Sequence, residues 1–200
     1  MGVSAVSSWD SVREFERVVA DFAGAKYAVA VDSCTNALFL SLKYRRATYV
    51  EIPAYTYVSV PMAAIHAGAR VVLRGVEWQG DYPLAPHPIW DSACRFRKGM
   101  YYEGGLQCLS FQAKKRLPIG KGGMILTDDK HAVDWLTKAR ACGRNVNVPL
   151  AEDNIDMLGW NMVMTPEQAS RGLQLMESMT FDDKDSVFEY PDLRKMKVFQ

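Results

Sequence analysis

The stretch Tyr27-Ala28-Val29-Ala30-Val31-Asp32-Ser33-Cys34-Thr35-Asn36-Ala37-Leu38 decides the fold. Its first five residues are an apolar run of strand length without polar alternation, the pattern of a strand buried on both faces. The run stops at Asp32-Ser33. From residue 35 to 44, Ala37, Leu38, Leu40 and Leu42 give the pattern of a largely buried helix. A buried strand feeding straight into a helix opens a βαβ unit.

The flanking sequence repeats the theme. Upstream, Val12, Phe15, Val18, Val19 and Phe22 recur at helical spacing, with Asp10 as N-cap and Gly24 closing the helix. Downstream, residues 49–52 read as a strand, 56–67 as a helix ended by Gly68, and 70–73 as another strand. Residues 77–88 are rich in Pro, Gly, Asp and aromatics and read as loop, before a short strand ending at Asp91. Strands over 106–111 and 123–127, a helix over 129–140 and a polar loop to about Gly159 follow. A last helix opens on Thr165-Pro166-Glu167-Gln168, which pairs a capping residue with proline at the first helical position and glutamine three after the cap. The alternation predicts an α/β fold with a mostly parallel sheet flanked by helices on both faces. Ligands of such sheets gather beyond the carboxyl ends of the strands. With no linker or repeat, residues 1–200 read as one domain, with a patternless tail after about residue 181.

Composition excludes several classes. A net charge of +1 leaves no electrostatic footprint for nucleic acid or an acidic membrane surface. No apolar run reaches transmembrane length and no signal peptide opens the chain, so a cytoplasmic protein is expected. Cys34, Cys94, Cys108 and Cys142 are scattered, as are His66, His87 and His131, so no metal site is expected and the thiols read as free.

Four segments carry possible chemistry. Ser33-Cys34-Thr35 lies at a strand-to-helix junction, where free backbone N–H groups and a positive dipole end suit a phosphate, although Ser33 or Thr35 could simply cap the helix. Asp91 follows a strand directly, where a carboxylate could pair with a protonated ring nitrogen or serve as a turn residue. In Ser110-Phe111-Gln112-Ala113-Lys114-Lys115 two lysines precede a glycine-rich turn, Gly120-Lys121-Gly122-Gly123. That is either a basic surface loop or a loop aiming an imine-forming amine at the ligand edge of the sheet. Gly159-Trp160-Asn161 precedes the capped helix.

Together with residues 22–31 and Pro53-Ala54-Tyr55-Thr56-Tyr57-Val58, these segments resemble the DegT/DnrJ/EryC1/StrS family of sugar aminotransferases, which depend on pyridoxal phosphate (PLP). The resemblance runs from about residue 10 to 175 and implies the large domain of a fold type I PLP transferase, reduced in size. It implies that Lys115, rather than Lys114, is the Schiff-base lysine. Asp91 would face the ring nitrogen, Tyr57 would stack on the ring, and Ser33, Cys34, Thr35 and Ser110 would surround the phosphate. Cys94 falls where the family has a cofactor-contacting histidine or glutamine, Cys34 where it has glycine, Val163 where it has arginine, and Lys121 where an acid is usual. Asn161 matches an asparagine that reaches the phosphate of the partner subunit, so a homodimer is expected. The stretch between Leu73 and Asp91 is short by one strand–helix unit, and the tail stands in place of most of the family's small domain. The implied activity is amino transfer from an amino acid donor to a keto group on a nucleotide sugar. The alternatives are a PLP-binding or structural remnant without transfer, and dehydration or epimerisation on the same scaffold. A lysine at 115 favours transamination over the dehydratase variant, which carries histidine there.

Overall fold

A computed structural model describes residues 9–200. The apolar face predicted near the start forms α1 (Asp10–Ala23), which buries Val12, Phe15, Val19 and Ala23 completely. Asp10 is its first residue and pairs with Arg13 instead of capping; Trp9 holds the cap position and makes no side-chain capping bond to the helix. Gly24 closes the helix in the left-handed conformation at φ 78°, which glycine adopts without steric cost.

The remaining elements follow in chain order: β1 (Tyr27–Val31), α2 (Cys34–Tyr44), β2 (Tyr49–Pro53), α3 (Ser59–Ala67), β3 (Arg70–Arg74), β4 (Tyr82–Pro83), β5 (Ile89–Asp91), β6 (Leu106–Ser110), β7 (Gly123–Thr127), α4 (Lys130–Ala139) and α5 (Pro166–Ser178). α5 starts with the expected capping box between Thr165 and Gln168. α3 begins at Ser59, three residues later than the sequence pattern indicates, because Thr56 is buried and bonded elsewhere.

Five strands pair in the order β1-β7-β6-β5-β4, and β2 pairs with β3. A bridge between Glu51 and Ala85 ties the segment just after β4 to β2 and so joins the two sheets. Strands β1, β2, β3, β5 and β6 point one way, while β4 and β7 point the other. The expected parallel direction therefore holds for most strands. Within the larger sheet, however, only β5–β6 is a parallel pair, because β7 is inserted in reverse between β1 and β6.

Helices cover both faces. One core layer joins Val29, Val31, Cys108 and Ile125 to α2, α3 and α4; the other joins Ala28, Ala30, Leu109 and Met124 to α1 and α5. Successive strand residues enter opposite layers, as the pleat requires. This explains why β1 and β7 are apolar on both faces. Between β3 and β5 there is no helix, and the two-residue β4 fills the gap. Among the described residues, no helix is long and apolar enough to cross a membrane.

Candidate active site

The carboxyl ends of β1, β2, β5 and β6 lie along one edge of the sheet, and the segments that follow them converge there. They line a cavity of about 530 Å³ that brings together Ser33, Cys34, Thr35, Tyr57, Asp91, Cys94, Ser110 and Lys115. These residues come from parts of the chain up to 82 positions apart (115 − 33). Only strand order brings them together.

At one end of the cavity stands the start of α2. Ser33 caps it, accepting from the Asn36 N–H at 3.2 Å, so the plain capping role is real. Thr35 Oγ1 lies 2.8 Å from Ser59 Oγ. The first turn of a helix presents backbone N–H groups without intrahelical acceptors, so capping and anion binding are compatible here. Gly123, at the start of β7, presses against this turn; a Cβ there would meet the Ser33 carbonyl carbon at 2.4 Å.

At the other end Asp91 is 5% exposed. Its Oδ2 accepts from the Tyr82 hydroxyl at 2.6 Å and its Oδ1 from the Ala93 N–H at 3.0 Å. Burial raises its pKa above the ordinary carboxylate value, while the Tyr82 and Ala93 bonds and the charge on Lys115 act in the opposite sense. Burial also pushes up the thiols of Cys34 and Cys94. Neither is a ready nucleophile.

Lys115 and Lys114 both reach the cavity, but they differ in setting. Lys114 is exposed and Lys115 half-buried, with its Nζ 3.9 Å from Cys94 Sγ and 4.3 Å from the centre of the Phe188 ring. Lys121 is exposed and lies 3.9 Å from Asp32. Tyr57 is 59% exposed, its ring 6.4 Å from that of Tyr190. Asn161 is exposed and lies outside this chain's cavity, held beside Ala141.

Several lining residues had no sequence signal. The segment after α5 folds back across the cavity and places Phe188 and Tyr190 in it. Its anchor is Arg95, 11% exposed, which pairs with Asp81 and Asp185, each at 2.7 Å. Trp78 comes from the loop after β3 and Thr56 from the motif before α3, while Tyr82, on β4, stands outside the lining and reaches it through its bond to Asp91. Tyr82 could not be singled out, because its role depends on one long-range contact; Thr56 lies in the motif over residues 53–58, but its bond to Tyr82 was not legible there.

Chemically, the cavity offers an anion seat at a helix start, a primary amine and a buried carboxylate. That set fits a phosphate ester carrying a carbonyl and a basic ring nitrogen. Among the described residues, no group of three or more His, Cys, Asp or Glu side chains is arranged to hold a metal ion.

A sequence model of the DegT/DnrJ/EryC1/StrS aminotransferase family matches residues 3–90 and 98–185. The spore coat polysaccharide biosynthesis protein SpsC of Bacillus subtilis is 32% identical over 143 residues, which span 69% of this chain and 36% of that protein. Among solved structures, 3-amino-5-hydroxybenzoic acid synthase aligns with a TM-score of 0.72 at 22% identity, over 84% of this chain and 56% of its own. Helicobacter pylori PseC, an aminotransferase of pseudoaminic acid biosynthesis, aligns with a TM-score of 0.70 at 16% identity, over 84% and 58%. The chain thus spans about a third of its curated relative and somewhat over half of these solved structures. At these identities the structural likeness shows the fold: a fold type I transferase architecture with its sheet flanked by helices.

Proposed function

Because the chain belongs to the DegT/DnrJ/EryC1/StrS aminotransferase family, we propose that it binds PLP through Lys115 and transfers an amino group from an amino acid to a keto group on a nucleotide-linked sugar. The observation that carries this reading is the placement of Lys115 in one cavity with the buried Asp91 and the hydroxyls at the start of α2. When bound, PLP supplies an electron sink for carbanion chemistry at the amino-bearing carbon.

The chain's own residues would divide the work. Asp91 holds a proton on the ring nitrogen. Ser33, Thr35 and Ser110, with the backbone at Cys34, hold the phosphate, Tyr57 covers the ring, and Cys94 borders it. Lys115 Nζ anchors the cofactor, then takes up and returns the proton at the substrate carbon. Asn161, exposed and outside its own chain's cavity, would serve the phosphate of a second copy in a homodimer. Residues 1–200 would act as one cofactor-binding unit, with the segment after 181 folded against it. Four free cysteines suit a reducing cytoplasm.

A second reading, PLP binding without transfer, is favoured by one observation: Phe188 and Tyr190 lie in the cavity next to Lys115 and Cys94. PLP titration followed by a turnover assay with glutamate and a keto-sugar nucleotide separates the two. Transfer expects a visible absorbance band and amino-sugar product. A band without product selects the second reading, and no band refutes both.

A further inference from the structure

Tyr82 belongs to none of the segments that led to the site. It lies on β4, in the short stretch between β3 and β5, and its register partner across the ladder is Asp91 itself. Directly paired residues project to the same face of a sheet, so the phenol and the carboxylate meet. The Tyr82 hydroxyl donates to Asp91 Oδ2 at 2.6 Å. A phenol has one proton. The second contact of that hydroxyl, with Thr56 Oγ1, therefore has Thr56 as donor. The result is a one-way series from Thr56 to Tyr82 to Asp91, whose members are 1%, 3% and 5% exposed. Trp78 packs edge-on against the Tyr82 ring at 4.7 Å and fixes its plane.

We propose that Tyr82, held by Thr56, is the positioning residue for Asp91, fixing the rotation of its carboxylate and keeping it ionised toward the cavity. The identity of the ring that Asp91 would meet rests on the PLP reading; the relation between Tyr82 and Asp91 does not. A buried carboxylate without donors takes up a proton, and a protonated acid cannot hold a proton on a ring nitrogen. Oδ2 accepts from Tyr82 alone, while Oδ1 accepts from Ala93 and faces the Cys34 thiol at 3.9 Å, which leaves Oδ2 the freer oxygen for a ligand. The groups facing Asp91 from neighbouring elements are the thiols of Cys34 and Cys94, with Cys108 beneath and Lys115, Asp81 and the Tyr190 phenol acting through space. Lys115 is the cation among them. Once it is committed to a cofactor, the donors at Tyr82 and Ala93 carry the task of keeping Asp91 charged.

The test uses the chain without PLP, carrying carboxyl-labelled aspartate, with the Asp91 resonance assigned through Asp91→Asn. In Tyr82→Phe the Asp91 titration midpoint moves to higher pH than in the unaltered chain, and in Thr56→Val it moves the same way by less. PLP, added afterwards and followed by absorbance, binds Tyr82→Phe about tenfold more weakly. An unchanged Asp91 midpoint in Tyr82→Phe overturns the proposal. If that variant fails to fold, an unchanged midpoint in Thr56→Val does so. A chain that never binds PLP refutes the cofactor reading while the titration still judges this one.

Discussion

Gly123→Ala probes the contact between sheet and candidate phosphate seat. The added Cβ would lie 2.4 Å from the carbonyl carbon of Ser33, 2.5 Å from the nitrogen of Cys34 and 2.6 Å from the oxygen of Ser33. Ordinary contact begins at 3.4 Å, so the Ser33–Cys34 peptide must retreat by about 1.0 Å (3.4 − 2.4). Overpacking of this kind costs roughly 1–3 kcal/mol, and a backbone obstacle that cannot rotate away sets the upper half, about 2–3 kcal/mol. For a chain of this size that lowers Tm by about 4–12 °C. Because the displaced peptide starts α2, Ser33 and Thr35 move with it, and PLP affinity falls along with stability. Thermal unfolding and PLP titration of the purified variant read both effects. A Tm within about 1 °C of the unaltered chain, with unchanged PLP affinity, would refute the reasoning.

Other expectations concern the charges. Replacing Arg95 by methionine leaves Asp81 and Asp185, 4% and 6% exposed, without their cation. Breaking a buried pair this way costs about 3–5 kcal/mol; chemical denaturation should show the loss, and limited proteolysis should cut earlier after residue 181. Unchanged stability would mean that Arg95 does not hold that segment. Glu51 is held down to about 2 by Arg74 and Tyr49. A carboxylate with a depressed pKa stabilises the fold above its ordinary value and loses that contribution as pH falls through the folded one. Between pH 4.5 and about 2 the unaltered chain should therefore lose more stability than Glu51→Gln. Equal losses would show that the Arg74 pair contributes nothing.

What the sequence made legible follows from local physics. The run 27–31 could be read because both faces of β1 are buried, and the Thr165–Gln168 box because capping is decided within four residues. Gly24 and Gly68 marked helix ends for the same reason. The reversal of β7 was not legible, since an apolar run such as 123–127 looks alike in either direction and its partners lie far away in sequence. Nor was β4, two residues long with one of them proline. In the site, Asp91 and Lys115 were legible through the family resemblance, and Ser33 through its place at a strand-to-helix junction. Phe188 and Tyr190 enter the cavity through tertiary contacts without periodicity or motif, Tyr82 reaches Asp91 in the same way, and Arg95 meets Asp185 across 90 residues.

Everything functional turns on which amine takes the cofactor. Incubation with PLP, reduction with borohydride and peptide mass mapping locate that amine, since reduction fixes the phosphopyridoxyl group on the lysine that held it. The half-buried Lys115 should carry the label, and Lys115→Ala should lose both label and visible band. Label on Lys114 or Lys121 instead, or a band that persists in Lys115→Ala, would contradict the account.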